Sequence, residues 1–425
     1  MGNFQWQSDM QPNRKFKQTS KTQLRNMGLS SERKFIVKEL KELQEDPPNI
    51  IIAKATKDLK FIQNYFKEQC LKKGVSYVMG LGVYQQLFAD PKLGKKKFLK
   101  PSNIRFKNIY RPYRGHDLTD KTILVFRTGG IGDLLFIQPN LLYLKEKYPT
   151  CTIKFACGPQ YQSMVETWEC VDEVLDLPFS LKHLMESDYH ALFEGVIERC
   201  KIAESVNAYN LFTEWLGLNL SDELLLPKQD AKPELVSFCL EKLREWNIKP
   251  NEFILMQLRA SSPIRTPNPD FWKDIMNELT HRGYNIILTD SPRQGDQVDS
   301  FIKNLKNNEK VFNFCKHSSS LDYSIALTSL CTLTLATDSA MNHIATSLSR
   351  PCVGIYGPFP GYIRLKTYPK AVWLDAKYEC APCFIHSQAP CQAAKGGFSP
   401  CYNSININDI INKVEGAIDR EKNND

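Results

Sequence analysis

No stretch of this 425-residue chain approaches the roughly 18 consecutive apolar residues of a membrane-spanning helix. The opening Met1-Gly2-Asn3-Phe4-Gln5-Trp6 has no apolar core of a secretory signal, and Trp6 stands where a myristoylation signal calls for Ser or Thr. Thirteen cysteines without an export signal predict a reducing compartment and a cytoplasmic protein, with thiols or metal ligands rather than a disulfide framework. There is no heptad or collagen periodicity, so a fibre is excluded. Hydrophobic residues at 42% and charged residues at 24% are ordinary for globular domains.

The formal charge of +8 is unevenly placed. Residues 1–120 carry +13, from 24 Lys and Arg against 11 Asp and Glu. Residues 121–425 carry −5, from 31 against 36. The densest basic run extends from Lys92 through Lys95, Lys96, Lys97 and Lys100 to Arg105 and Lys107. Such a run reads as a solvated linker, or as a patch for anionic lipid or nucleic acid. Within 1–120 the spacing predicts a helix over 31–45, a short strand at Ile50–Ile52 and a second helix over 59–70. In the last, Leu59, Ile62, Phe66 and Cys70 share one face and Gly74 caps the end.

From Lys121 onward strands and helices alternate. Strands are expected at Ile123–Phe126, Thr152–Ala156 and Val174–Leu177, with helices at 134–147 and 160–168; residues 185–250 read as mostly helical. A second alternating set has strands at 253–258, 286–289, 311–314, 332–336 and 352–356. Helices fall between them, at 269–282, 294–305, 321–330 and 341–348. This pattern predicts an α/β chain with two doubly wound, Rossmann-like domains facing a cleft, at 121–245 and 246–425, preceded by a basic extension over 1–120. Ligands in such sheets lie outside the carboxyl ends of the strands.

Two strand ends carry chemistry. After Phe126 comes Arg127-Thr128-Gly129-Gly130-Ile131-Gly132-Asp133, a glycine-rich turn into a helix. Gly129, Gly130 and Gly132 let the backbone approach a ligand, and the helix start offers free N–H groups. A dinucleotide fingerprint would need glycine at Leu135, and no Gly-Lys-Ser/Thr follows. Asp133 reads equally as a carboxylate complementing the helix dipole or as a general base. After Ala336 comes Thr337-Asp338-Ser339-Ala340-Met341-Asn342-His343. Its Asp338 and Ser339 read as a helix cap or as a phosphate seat, and His343 as a core histidine or a site residue. Arg265, in the loop after 253–258, reads as a surface residue or as the cation for a leaving diphosphate.

Together these segments resemble glycosyltransferase family 9, the ADP-heptose:lipopolysaccharide heptosyltransferases and their relatives. The likeness rests on Arg127 to Pro139 with Leu144 to Pro149, on Arg265 to Trp272, on Asp338 to Ala345 and on Pro351 to Pro358, and spans roughly 121–420. It implies a GT-B fold and inverting sugar transfer from a nucleotide diphosphate, ADP favoured, without a catalytic metal. It also implies Asp133 as catalytic base and Arg265, Asp338, Ser339 and His343 as donor-binding residues. The acceptor would be a lipopolysaccharide-type glycan or a protein, met in the cytoplasm or on the inner membrane face, and nucleic acid is not the expected partner. Ala340 stands where the family usually has glycine, and Arg265 where it commonly has lysine. A GT-B nucleotide-sugar epimerase, or a binding protein with a basic N-terminus, would share the architecture without the transfer.

Cys380, Cys383, Cys391 and Cys401 cluster in the Cys-rich loop 380–401. The first pair has thiolate-ligand spacing, so a structural zinc or iron is expected there, with His386 as a further ligand; reduced thiols or disulfides are the alternative. Autotransporter-modifying heptosyltransferases look similar in carrying a cysteine-bound metal.

Overall fold

The computed structural model describes residues 40, 50–63, 67–89, 99–102, 104, 106–200, 203, 206–385, 391–394 and 397–423. Two parallel sheets carry the architecture. The first has strands β6 (Thr122–Phe126), β7 (Thr152–Ala156), β8 (Glu173–Leu175) and β10 (Tyr189–Leu192) in the order β10-β6-β7-β8. Its core strand is the run Ile123-Leu124-Val125-Phe126, buried on both faces as expected of a parallel strand with crossovers on either side. The chain leaves β6 towards β8, then returns to place β10 against the other edge of β6, in register Tyr189 to Ile123. The sheet therefore reverses direction between β6 and β10.

The second sheet has six parallel strands: β11 (Phe253–Gln257), β12 (Asn285–Leu288), β13 (Val311–Asn313), β14 (Leu333–Thr337), β15 (Cys352–Tyr356) and β16 (Ala371–Asp375). Their order, β13-β12-β11-β14-β15-β16, reverses between β11 and β14. That is the doubly wound dinucleotide-fold order, in which ligands lie at the reversal point. Helix Pro269–His281, capped by the Asn268 side chain, and the final helix Ile407–Lys422, capped by Asn406, pack one face of this sheet. The expected α/β organisation with two parallel sheets is what the chain forms.

Two strands of the parallel sheets, β10 and β16, lie outside the sequence expectation. Residues 185–250 were read as mostly helical, yet Tyr189–Leu192 completes the first sheet. The segment before Lys121 also differs. The helix expected over 59–70 is a hairpin of β2 (Leu59–Gln63) and β3 (Lys67–Leu71). Leu59 and Phe61 are buried on one strand and Gln69 and Leu71 on the other, an alternation of period two. The strand at Ile50–Ile52 forms as β1 (Ile50–Ala55). It pairs antiparallel with β4 (Ser76–Gly80) and β5 (Leu99–Pro101), and β4 in turn pairs with β9 (Phe179–Ser180) of the first domain. The helix expected over 31–45, Leu40 apart, and the basic run from Lys92 to Lys97 lie outside the described residues.

The boundary at 120 does not separate two cores. Ile52, Ala53, Val78, Met79 and Leu99 share one buried cluster with Leu124, Phe126, Leu177 and Phe179. Removing residues 1–107 would strip β1–β5 from that cluster, at roughly 1.5–3 kcal/mol for each large side chain uncovered. Such a truncation is expected to lose its cooperative thermal transition, as followed by circular dichroism. A transition unchanged from full length would show that β1–β5 are an appendage. Among the described residues no helix is long and apolar enough to cross a membrane.

Candidate active site

Both reversal points carry the residues singled out in the sequence. β6 delivers Arg127 into the turn ahead of helix Ile131–Lys147. Gly130 has φ +90° and no room for a side chain: a Cβ there would lie 2.5 Å from Asp133 Oδ2. Asp133 sits in the first turn of the helix, beside the N–H groups that no side chain caps. Arg127 is 5% exposed and organises what surrounds it. Its Nη2 donates to Asp133 Oδ2 at 2.5 Å and to Glu198 Oε1 at 2.7 Å. Its Nη1 donates to the Phe193 carbonyl at 3.0 Å and its Nε to the Gly129 carbonyl at 3.1 Å. Although burial opposes the charge, Asp133, Glu198 and Glu194 hold the guanidinium firmly protonated. The Thr128 N–H donates to Glu194 Oε1, which ties the loop to the residues following β10. Arg127 thus fixes one oxygen of Asp133; among the described residues the other oxygen accepts no hydrogen bond.

At the second reversal point, β11 leads into the loop carrying Arg265, and β14 leads into Asp338, Ser339 and helix Ala340–Ser347. Arg265 Nη1 donates to the Asp338 carbonyl at 3.1 Å and to its Oδ2 at 3.3 Å, and Nη2 donates to Ser261 Oγ at 2.8 Å. The Arg265 carbonyl accepts from Thr337 Oγ1 at 2.7 Å and from the Tyr402 hydroxyl at 3.0 Å, so the loop is clamped to the sheet. Asp338 is only 2% exposed. Burial alone would raise its carboxyl, but Arg265, then Arg364 and His343, outweigh that and hold it below the usual range. Ser339 occupies the N-cap position, yet its side chain caps nothing. Its Oγ and the Nε of Arg265 are buried and, among the described residues, without a hydrogen-bond partner. Two unsatisfied buried groups beside free helix N–H groups form a seat for an anion.

The two motifs meet. A Cβ on Gly132 would lie 2.8 Å from His343 Cδ2, so only glycine lets the two helices approach here. The His343 ring lies edge-on to Phe136, with centroids 4.8 Å apart, and its Nδ1 lies 3.1 Å from the Tyr368 hydroxyl. Asp133 is therefore next in sequence to a residue touching the helix that Ser339 begins. His343 is a packing residue between the helices, buried enough that its pKa falls to about 3, with Arg364 adding to the shift. An unfolded histidine takes its proton near 6.5, so this contribution is complete above that pH and is lost as pH falls towards 3. The expected loss is roughly 1.4 kcal/mol per pH unit below 6.5. Melting temperatures at pH 7.5 and 5.0 should converge when His343 is replaced by asparagine. His190, pushed down to about 4 by burial, keeps its own dependence in that variant. An unaltered pH dependence would remove His343 from this interface role.

Arg127, Glu194, Glu198 and Arg364 were given no role by sequence reasoning. The signal for the two glutamates was their place after β10, a strand without a readable period. All four loop cysteines are free thiols, and Cys401 is buried against Gly357. Burial, then the charges of Cys380, Cys383 and Cys391, push the Cys401 thiol up to about 12, so the four share one neighbourhood. Among the described residues, however, no three His, Cys, Asp or Glu side chains are arranged to hold a metal ion. The expected structural zinc or iron finds no support in this arrangement, and His386 lies outside the described residues.

The profile of the family described as glycosyltransferase family 9 (heptosyltransferase) matches residues 188–392. Over that stretch, just under half of its length, the chain is similar to glycosyltransferase family 9. Lipopolysaccharide heptosyltransferase 2 of Salmonella typhimurium is 23% identical to this chain over 290 residues, covering 56% of the chain and 82% of the relative. Among solved structures, a family 9 glycosyl transferase from Veillonella parvula superposes with a TM-score of 0.56 at 15% identity, over 71% of this chain and 98% of its own. The ADP-heptose lipopolysaccharide heptosyltransferase II of Escherichia coli superposes with a TM-score of 0.51 at 14% identity, over 71% and 99%. Both support the expected GT-B fold.

Proposed function

We propose that this chain transfers a heptose-like sugar from an ADP-sugar to a hydroxyl of a lipopolysaccharide-type glycan, with inversion at the anomeric carbon. One observation carries the reading. The unsatisfied Ser339 Oγ and Arg265 Nε sit at a helix N-terminus, and that helix touches the one bearing Asp133. The donor's diphosphate lies against Ser339 and Arg265. Asp133, with one oxygen held by Arg127, takes the acceptor proton through the other oxygen as the hydroxyl attacks. The hydroxyl approaches from the face opposite the leaving nucleotide. Arg265 and the helix N–H groups meet the charge that develops on the diphosphate. The adenine preference follows the ADP-heptose and lipopolysaccharide relatives rather than any contact in the site. The reaction is placed in the cytoplasm, with the basic residues of 1–120 favouring an anionic membrane face.

The reading is tested by thermal melting with ADP, UDP and GDP at equal concentration. A ligand at about 100 times its Kd stabilises by roughly 2.7 kcal/mol, so the preferred nucleotide separates clearly from the rest. ADP should give the largest rise. A larger rise with UDP would overturn the donor assignment, and no rise with any of them would remove the nucleotide site. The epimerase reading requires donor turnover without acceptor, and the binding-protein reading requires no turnover at all.

A further inference from the structure

A cavity of about 350 Å³ lies away from both reversal points, sharing no lining residue with the site described above. Its walls are β3 of the hairpin with β4 on one side. Helix Pro159–Val165, β8 and the start of helix Leu181–Glu186 form the other. It is thus made where the N-terminal strands meet the first domain. Leu71, Leu175 and Phe179 supply an apolar floor.

The charged lining is of one sign. Glu166, Glu173 and Asp176 bring three carboxylates, and no lysine or arginine is among the lining residues. Glu173 is paired with Lys154 at 2.7 Å, and Asp176 accepts from Gln162 at 3.1 Å. Glu166 is exposed at the rim. Gln69 supplies the independent observation. It lines the cavity and is only 4% exposed, yet among the described residues neither its Nε2 nor its Oε1 has a hydrogen-bond partner. His183, also lining the cavity, has an unpartnered buried Nδ1. A buried amide left with both ends unmet costs free energy that a ligand's donor and acceptor would recover.

These groups specify a ligand. Gln69 Oε1 and the carboxylates ask for hydroxyl or amine donors, and Gln69 Nε2 asks for an acceptor oxygen. With Glu173 paired to Lys154, Glu166 and Asp176 still leave the lining net negative, which repels an anion and attracts an ammonium group. The volume lies in the range of small-molecule sites, enough for one monosaccharide-sized molecule. We propose that this cavity binds a small hydroxylated amine of amino-sugar size. The proposal does not rest on the transferase reading, because it concerns different residues and is read by binding alone.

Saturation-transfer NMR on the full chain tests it, with glucosamine, glucose and glucuronate as probes at equal concentration. Glucosamine should give the strongest transfer, glucose a weaker one and glucuronate none. Gln69→Leu should weaken glucosamine binding about fivefold, the loss of one hydrogen bond. Glu166→Gln, at an exposed position that leaves the fold alone, should weaken glucosamine more than glucose. Melting curves of both variants check that each is folded. Glucosamine without transfer, glucuronate binding as well as glucosamine, or binding unchanged in both folded variants would each overturn the proposal.

Discussion

Asp133→Ala is expected to slow sugar transfer by about 10²–10⁴-fold, the usual loss on removing a general base. Donor binding should stay nearly unchanged, because the proposed diphosphate seat is built from Ser339 and Arg265 and not from Asp133. The structure gives a reason for this separation. Asp133 Oδ2 is held at 2.5 Å by a guanidinium that also holds Glu198, so the carboxylate is oriented before any substrate arrives. Arg127 is then a positioning residue. Its replacement by lysine keeps a charge but loses the fork that joins Asp133 to Glu198. Stability is a confounder for Asp133→Ala, since it uncovers one side of a buried arginine. Glu198 remains as that arginine's partner at 2.7 Å, which limits the cost. Equal turnover in Asp133→Ala and the parent, both folded, would reject the base assignment.

Arg265→Ala should reduce kcat/KM by about 10²–10³-fold, the scale of losing one group that meets developing charge. This loss should appear in nucleotide affinity as well, unlike that of Asp133→Ala. The substitution has a second consequence that must be separated from the first. Arg265 is the ion-pair partner of Asp338, whose side chain is 3% exposed, at 3.3 Å. Breaking a buried pair from one side costs roughly 3–5 kcal/mol, because it strands the other charge. Arg265→Ala should therefore also melt earlier. The double variant with Asp338→Asn should recover melting temperature without recovering transfer. Arg265→Lys, which keeps the charge, should retain more transfer than the alanine variant. Recovery of transfer along with melting temperature in the double variant would make Arg265 structural only.

What was legible from sequence follows from how local each signal is. Ile123–Phe126 and Cys352–Tyr356 are continuous apolar runs, and the turns after β6 and β14 carry their chemistry within seven residues. Hence Asp133, Ser339 and the glycine loop could be placed without coordinates. The partners of those residues come from elsewhere in the chain. Glu194 and Glu198 follow β10, a four-residue strand inside a helical region, and only its pairing with β6 brings them to Arg127. The hairpin β2–β3 misled for another reason. Leu59, Ile62, Phe66 and Cys70 fit a helical face, but burial falls on Leu59, Phe61, Gln69 and Leu71, of which Leu59, Phe61 and Leu71 join one buried cluster with Leu175 and Leu177. The charge split at residue 120 likewise described composition and not folding units, since β4 pairs with β9 across it. His343 read as a core histidine or a site residue, and the structure makes it the spacer that brings both motifs together.

The central claim is acceptor-dependent transfer with inversion from an ADP-sugar. It is tested most directly by incubating the chain with ADP-heptose and heptose-deficient lipopolysaccharide and following the anomeric proton by NMR. ADP release is expected only when acceptor is present, with a product whose anomeric configuration is opposite to that of the donor. A product of retained configuration, or donor consumed equally without acceptor, would contradict it.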